Sequence, residues 1–179
     1  MYEKNKISEA RYFYSQMIKS RDNREVFIYS LSAFLSSARS VLQYAHKEAK
    51  AKPNGQKWYD GHISKVRVFK FFKNKRDINI HDEPIEPNKA IDINFKEIVH
   101  ISESVSIILR NSDGKIKQQY NSEEPKQPQG TAYTPSIIKL RYKFDDWPGN
   151  EDVETLSKLY LDELEIFVND GLKKGLITG

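Results

Sequence analysis

Arg76, Asp77 and His81 fall within six positions, and together they are the residues best suited to chemistry on a phosphate. A histidine ionises near neutral pH, so it can accept or return a proton under ordinary conditions. An arginine keeps its charge and presents a planar fork of N–H donors that holds a phosphate by two bonds. An aspartate beside them can orient either partner. The plain alternative is an exposed helix end at which Arg76 pairs with Asp77 or Asp82. Arg76 and His81 are five positions apart, which on a regular helix separates them by about 140° around the axis. Both reach one phosphate only if the helix unwinds or turns near Ile80. Pro84 makes an ending close to that point expected.

The element that carries these residues reads as a helix over positions 58–80, with a break near Gly61. Ile63, Val66, Phe69 and Phe72 mark its buried side at helical spacing. Residues 61–76 contain no acid but include Lys65, Arg67, Lys70, Lys73 and Lys75. Such a run is either a solvated face with snorkelling side chains or a strip that contacts phosphates.

Two helices precede it. Ile7, Ala10, Phe13, Met17 and Ile18 give residues 6–20 an amphipathic pattern. Asp22 and Glu25 have the spacing of a capping box, so a second helix is expected from there to about Lys50. Its apolar band from Val26 to Ala45 covers more than one narrow stripe, as in a helix central to a bundle. After Pro84 and Pro87 the period changes. Val99, Ile101, Val105, Ile107 and Leu109 alternate with polar residues, Asp113-Gly114 signals a turn, and residues 116–120 return. Residues 121–135 read as an exposed loop, and Ile138, Leu140, Tyr142 and Phe144 as a third strand of one small antiparallel sheet. A last helix is expected after Asn150 as N-cap, with Val153, Leu156, Tyr160, Leu164, Phe167 and Val168 on its apolar face.

The whole chain of 179 residues fits a single domain, with the β-insert at about 90–145. It has no cysteine, so disulfides and thiolate metal sites are excluded. The formal charge of +4 permits an anionic partner without demanding one. No apolar run has the roughly 20 residues that span a bilayer, and residues 1–6 lack the apolar core of a signal peptide. A cytoplasmic protein without membrane contact is the expectation.

The order of elements and the Arg76-Asp77…His81 motif resemble the HEPN superfamily, whose members are helical bundles. They carry an Arg, usually followed by Asn, Asp or His, with a His five to seven positions after the Arg. The resemblance covers roughly residues 6–84 and 148–175 and assigns the β-insert no role. It implies an antiparallel four-helix bundle, with the sheet inserted before the last helix. It also implies metal-independent endoribonuclease activity without a cofactor, with paired motifs across a homodimer, and a toxin with its antitoxin or another partner protein. His81 would take the proton from a ribose 2′-OH, and the 2′-oxygen would attack the adjacent phosphate to leave a 2′,3′-cyclic phosphate. Arg76 would hold that phosphate and Asp77 would orient Arg76 or His81. Lys65, Arg67, Lys70, Lys73 and Lys75 would contact RNA. Other members are non-catalytic, and the same residues would then bind nucleotide, RNA or a protein.

The remaining histidines offer less. His81-Asp82-Glu83 is too contiguous to converge on one metal ion, and Asp60-Gly61-His62 lacks a third ligand in sequence. His46 reads as a surface or packed residue, and His100 as a solvent-facing strand position.

Overall fold

Asn23 starts the helix around which the others gather. Its backbone is extended and its side chain accepts from the Val26 N–H at 3.2 Å. The cap is therefore one residue later than the expected Asp22. This helix, α2 (Arg24–Ala49), follows α1 (Tyr2–Lys19). Phe27, Leu31, Phe34, Leu35, Ala38, Val41, Leu42 and Ala45 are buried along it. The computed structural model describes residues 2–94, 106–121 and 137–179.

The expected third helix is two helices, α3 (Gly55–Lys65) and α4 (Arg67–His81). The break lies at Val66, not near Gly61. Val66 is extended, with φ −99° and ψ 100°, a conformation that suits a β-branched residue. Gly61 stays inside α3. The kink lets each half bury its own side: Trp58 and Tyr59 from α3, and Val68, Phe69 and Phe72 from α4.

Beyond α4 come β1 (Asn88–Asn94), β2 (Ser106–Arg110), β3 (Ile116–Asn121), β4 (Ile137–Lys143) and α5 (Val153–Lys173). The chain divides into two compact units, residues 1–92 with 139–179, and residues 93–138. In the first, α2 packs against all four other helices, and α5 also meets α1 and α4. The chain is mainly helical. Aromatic stacks run through its core: Phe72 stacks on Tyr160 at 4.9 Å, and Trp58 on Phe167 at 4.6 Å. Gly171 allows the second of these stacks. A Cβ there would lie 2.8 Å from the Trp58 ring, so α5 approaches Trp58 closely only because the residue is glycine. Asp152, not Asn150, caps α5, accepting from the Thr155 N–H at 2.8 Å.

The strands do not form one three-stranded sheet. β4 pairs with β1, while β2 pairs with β3, giving two small antiparallel sheets. β4 is bound to the helices by Tyr142, which stacks on Phe27 at 4.0 Å and donates to the Arg21 carbonyl at 3.2 Å. Its partner β1 alternates only over a short stretch, Ile91 and Ile93 with Asp92 and Asn94, and was not singled out in the sequence. The second unit holds the hairpin of β2 and β3, with Ile107 opposite Tyr120 and Leu109 opposite Gln118. Gly114, at φ 74°, turns it, and the Asn111 side chain accepts from the Lys115 N–H at 2.9 Å. Of the strand expected over residues 99–109, the end from Ser106 is β2, while residues 99–105, with His100, lie outside the described residues, as does almost all of the expected loop at 121–135. Among the described residues, no helix is long and apolar enough to cross a membrane.

Candidate nucleic-acid interface

α4 sorts its side chains by face. Val68, Phe69 and Phe72 point into the core. One turn beyond Phe72, Arg76 is drawn partly inward and keeps 23% of its side-chain exposure. Its Nη1 lies 3.3 Å from Asp77, and its Nε is buried with no hydrogen-bond partner among the described residues. Asn79 fastens the end of the helix. It donates to Ser32 of α2 at 2.7 Å and accepts from the Ile85 N–H at 3.0 Å.

The turn that would bring Arg76 and His81 together is not made within the chain. α4 remains helical through His81, so the two residues stay about 140° apart around its axis. His81 is exposed at the helix end. Asp77 accepts from Arg76 and also takes Lys73 at 3.3 Å. Partial burial alone would raise the Asp77 pKa, but the hydrogen bonds from Lys73 and Arg76 outweigh it and hold the carboxyl below its ordinary value. The Arg76–Asp77 pair is the alternative that the sequence allowed.

The five cations also divide. Lys75 is only 16% exposed, paired with Asp146 at 2.7 Å and resting over the Phe144 ring at 4.8 Å. Lys73 is tied to Asp77. Lys65 is exposed at the end of α3. Arg67 and Lys70, one helical turn apart, line a cleft of about 360 Å³ with Phe71, Asn74, Trp147 and Pro148. Among the described residues, no carboxylate lines it. The spacing explains the grouping: positions 67, 70, 71 and 74 recur at three and four residues and so share one face of α4.

Trp147 comes from the segment between β4 and α5. Its ring meets Phe71 edge to face at 4.9 Å, and its Nε1 donates to Glu151 at 2.7 Å. That bond, with the nearby positive charge of Arg67, holds the Glu151 carboxyl below its ordinary pKa. The Arg67 guanidinium lies 5.6 Å from the Trp147 ring centroid. The surrounding acids are engaged: Asp146 by Lys75, Asp145 by Asn88, Asp152 by the α5 cap. Phe71, Asn74 and Trp147 were not singled out from sequence. The available signal was a tryptophan in a polar, proline-containing segment, and its ring packs against the edge of the helical core.

A second polar cluster joins α3 to α5. The Asp170 carboxylate accepts from Trp58 Nε1 at 2.6 Å and Lys174 Nζ at 2.7 Å, and lies 3.0 Å from His62 Nε2. Burial works against its charge, yet these partners prevail and its pKa falls to about 2. His46 lies 2.9 Å from Gln56 and against the Tyr59 ring. Among the described residues, no three His, Asp or Glu side chains are placed to hold a metal ion together.

Compared with protein-family models, curated proteins and solved structures, the chain matches none of them.

Proposed function

We propose that this protein is a HEPN-like module that binds RNA through the exposed face of α4. The observation that carries this reading is the placement of Arg67 and Lys70, both exposed, one turn apart, at a cleft that no carboxylate among the described residues lines. Cations so placed can bind successive phosphates, and such binding releases counterions and weakens with salt. In this reading α3 and α4 together serve as the third helix of a four-helix bundle, with α1, α2 and α5 as the others. The motif residues Arg76 and Asp77 then brace the end of α4, and the cleft one to two turns earlier meets the ligand.

The test is fluorescence anisotropy with a labelled single-stranded RNA between about 50 and 200 mM salt. Affinity should fall with salt. Arg67→Ala and Lys70→Ala should each weaken binding and reduce the logarithmic salt slope by about 0.7. Absence of binding, or binding indifferent to both substitutions, sinks the reading.

The nuclease reading takes a narrower form. Since Arg76 and His81 diverge on one helix, a shared phosphate requires His81 of one copy and Arg76 of another, as in a homodimer. The exposure of His81 at the helix end supports that version. His81→Ala should then lower RNA cleavage by about 10²–10⁴-fold, the usual contribution of a positioned general base. Cleavage that survives this substitution excludes His81 as the base. A toxin role, with an antitoxin or other protein partner, belongs to this second version.

A further inference from the structure

We infer that the cleft beside Trp147 is a stacking subsite for one unpaired nucleotide of a single strand. This rests on the RNA-binding reading and adds to it what the cleft discriminates. Arg67 and Lys70 account for phosphate contact alone, and a duplex would satisfy them equally. The aromatic part of the cleft would not be satisfied by a duplex. Trp147 is held by two constraints: the bond from Nε1 to Glu151 at 2.7 Å and the edge contact with Phe71 at 4.9 Å. The indole N–H is therefore already spent, and what a ligand can reach is the ring face that lies under Arg67.

A ring face recognises another flat ring, and every base offers one when it is unstacked. Arg67 lies over the indole from an exposed position. Drawing its guanidinium outward uncovers a surface for a base and carries the charge toward that nucleotide's phosphate. Asn74, on the same face of α4 and within the same cleft, adds an amide that can pair with a base edge. The volume of about 360 Å³ is at the small end of ligand sites, suited to a single nucleotide. Glu151 is a positioning residue here: it fixes the indole plane and does not touch the ligand.

The test compares one RNA strand, the same strand annealed to its complement, and an abasic oligomer of equal length. Binding is read by anisotropy and by tryptophan emission. The strand should bind more tightly than the duplex and the abasic oligomer by roughly 5- to 150-fold, the usual worth of one aromatic–base stack, and should quench emission. Trp147→Phe should keep part of this preference and lose the quench. Trp147→Ala should abolish the preference. Glu151→Gln, which still accepts from Nε1, should preserve the preference, and Glu151→Ala should weaken it. Adenosine monophosphate should compete at least tenfold more weakly than the strand, and equal affinity would overturn the single-strand assignment. If all three oligomers bind alike with the Arg67- and Lys70-dependent salt slope, the stacking subsite is refuted and the phosphate-binding reading stands. If none binds, both fall.

Discussion

A single carboxylate shows how side chains remote in sequence set local stability. Asp170 gathers partners on Trp58, His62 and Lys174, two of them from α3. Because its pKa falls from 3.8 to about 2 on folding, the native state holds the negative charge more firmly than the unfolded chain does. The resulting stabilisation is complete above the unfolded value, about pH 4, and disappears as pH falls toward 2. Asp170→Asn keeps an acceptor but removes the charge. It should cost about 1–3 kcal/mol at neutral pH, lowering Tm by about 2–4 °C for each kcal/mol in a chain of this size. Thermal melts of both proteins across pH 2–7 provide the check. The gap between them should close between about pH 4 and pH 2, and a gap that is constant with pH would mean that the charge is not what stabilises the cluster.

At the level of elements, the helical periods were legible and their ends less so. Asp22 and Glu25 imitate a capping box, yet the side chain that accepts from the helix is Asn23. Asn23→Ala should therefore cost about 1 kcal/mol, while Asp22→Ala, at an exposed position outside the helix, should stay within about 0.5 kcal/mol. Denaturant melts that reverse this order would restore the earlier boundary. The break in the third helix lies at Val66 rather than near Gly61 for a related reason. Glycine weakens a helix on average, but α3 retains its hydrogen bonds through Gly61, and the chain bends at Val66 where the core requires Phe69 and Phe72 to face inward. Tertiary packing overrode local propensity. The basic strip was legible as composition, but its division was not. Lys75 meets Asp146 and Arg67 meets Trp147 only after α4 and the turn before α5 have docked. Pairings of that sequence separation leave no periodic trace. The Arg76-Asp77…His81 motif was the most visible pattern in the chain. Its spacing on an unbroken helix is what turns the two ends apart.

At the scale of the whole molecule, the core of the described residues lies in one unit. Among the described residues, every buried apolar side chain belongs to residues 1–92 or 139–179. In the other unit, Ile107, Ile108, Leu109, Ile116 and Tyr120 are all exposed on a two-stranded hairpin, an arrangement that is marginal by itself in water. Replacing residues 93–138 by a short Gly/Ser turn should therefore leave the helical unit folded. Its unfolding free energy in urea should change by no more than about 1 kcal/mol, since closing a shorter loop alters entropy only slowly with length. The urea m-value should fall only in proportion to the surface removed. The cleft residues Arg67, Lys70, Phe71, Asn74 and Trp147 all remain in the shortened chain, so its affinity for single-stranded RNA and its dependence on Trp147 should persist. A shortened chain that folds with its cleft intact but loses RNA binding would move the interface to the hairpin. One that fails to fold would show that the helical core depends on the residues removed.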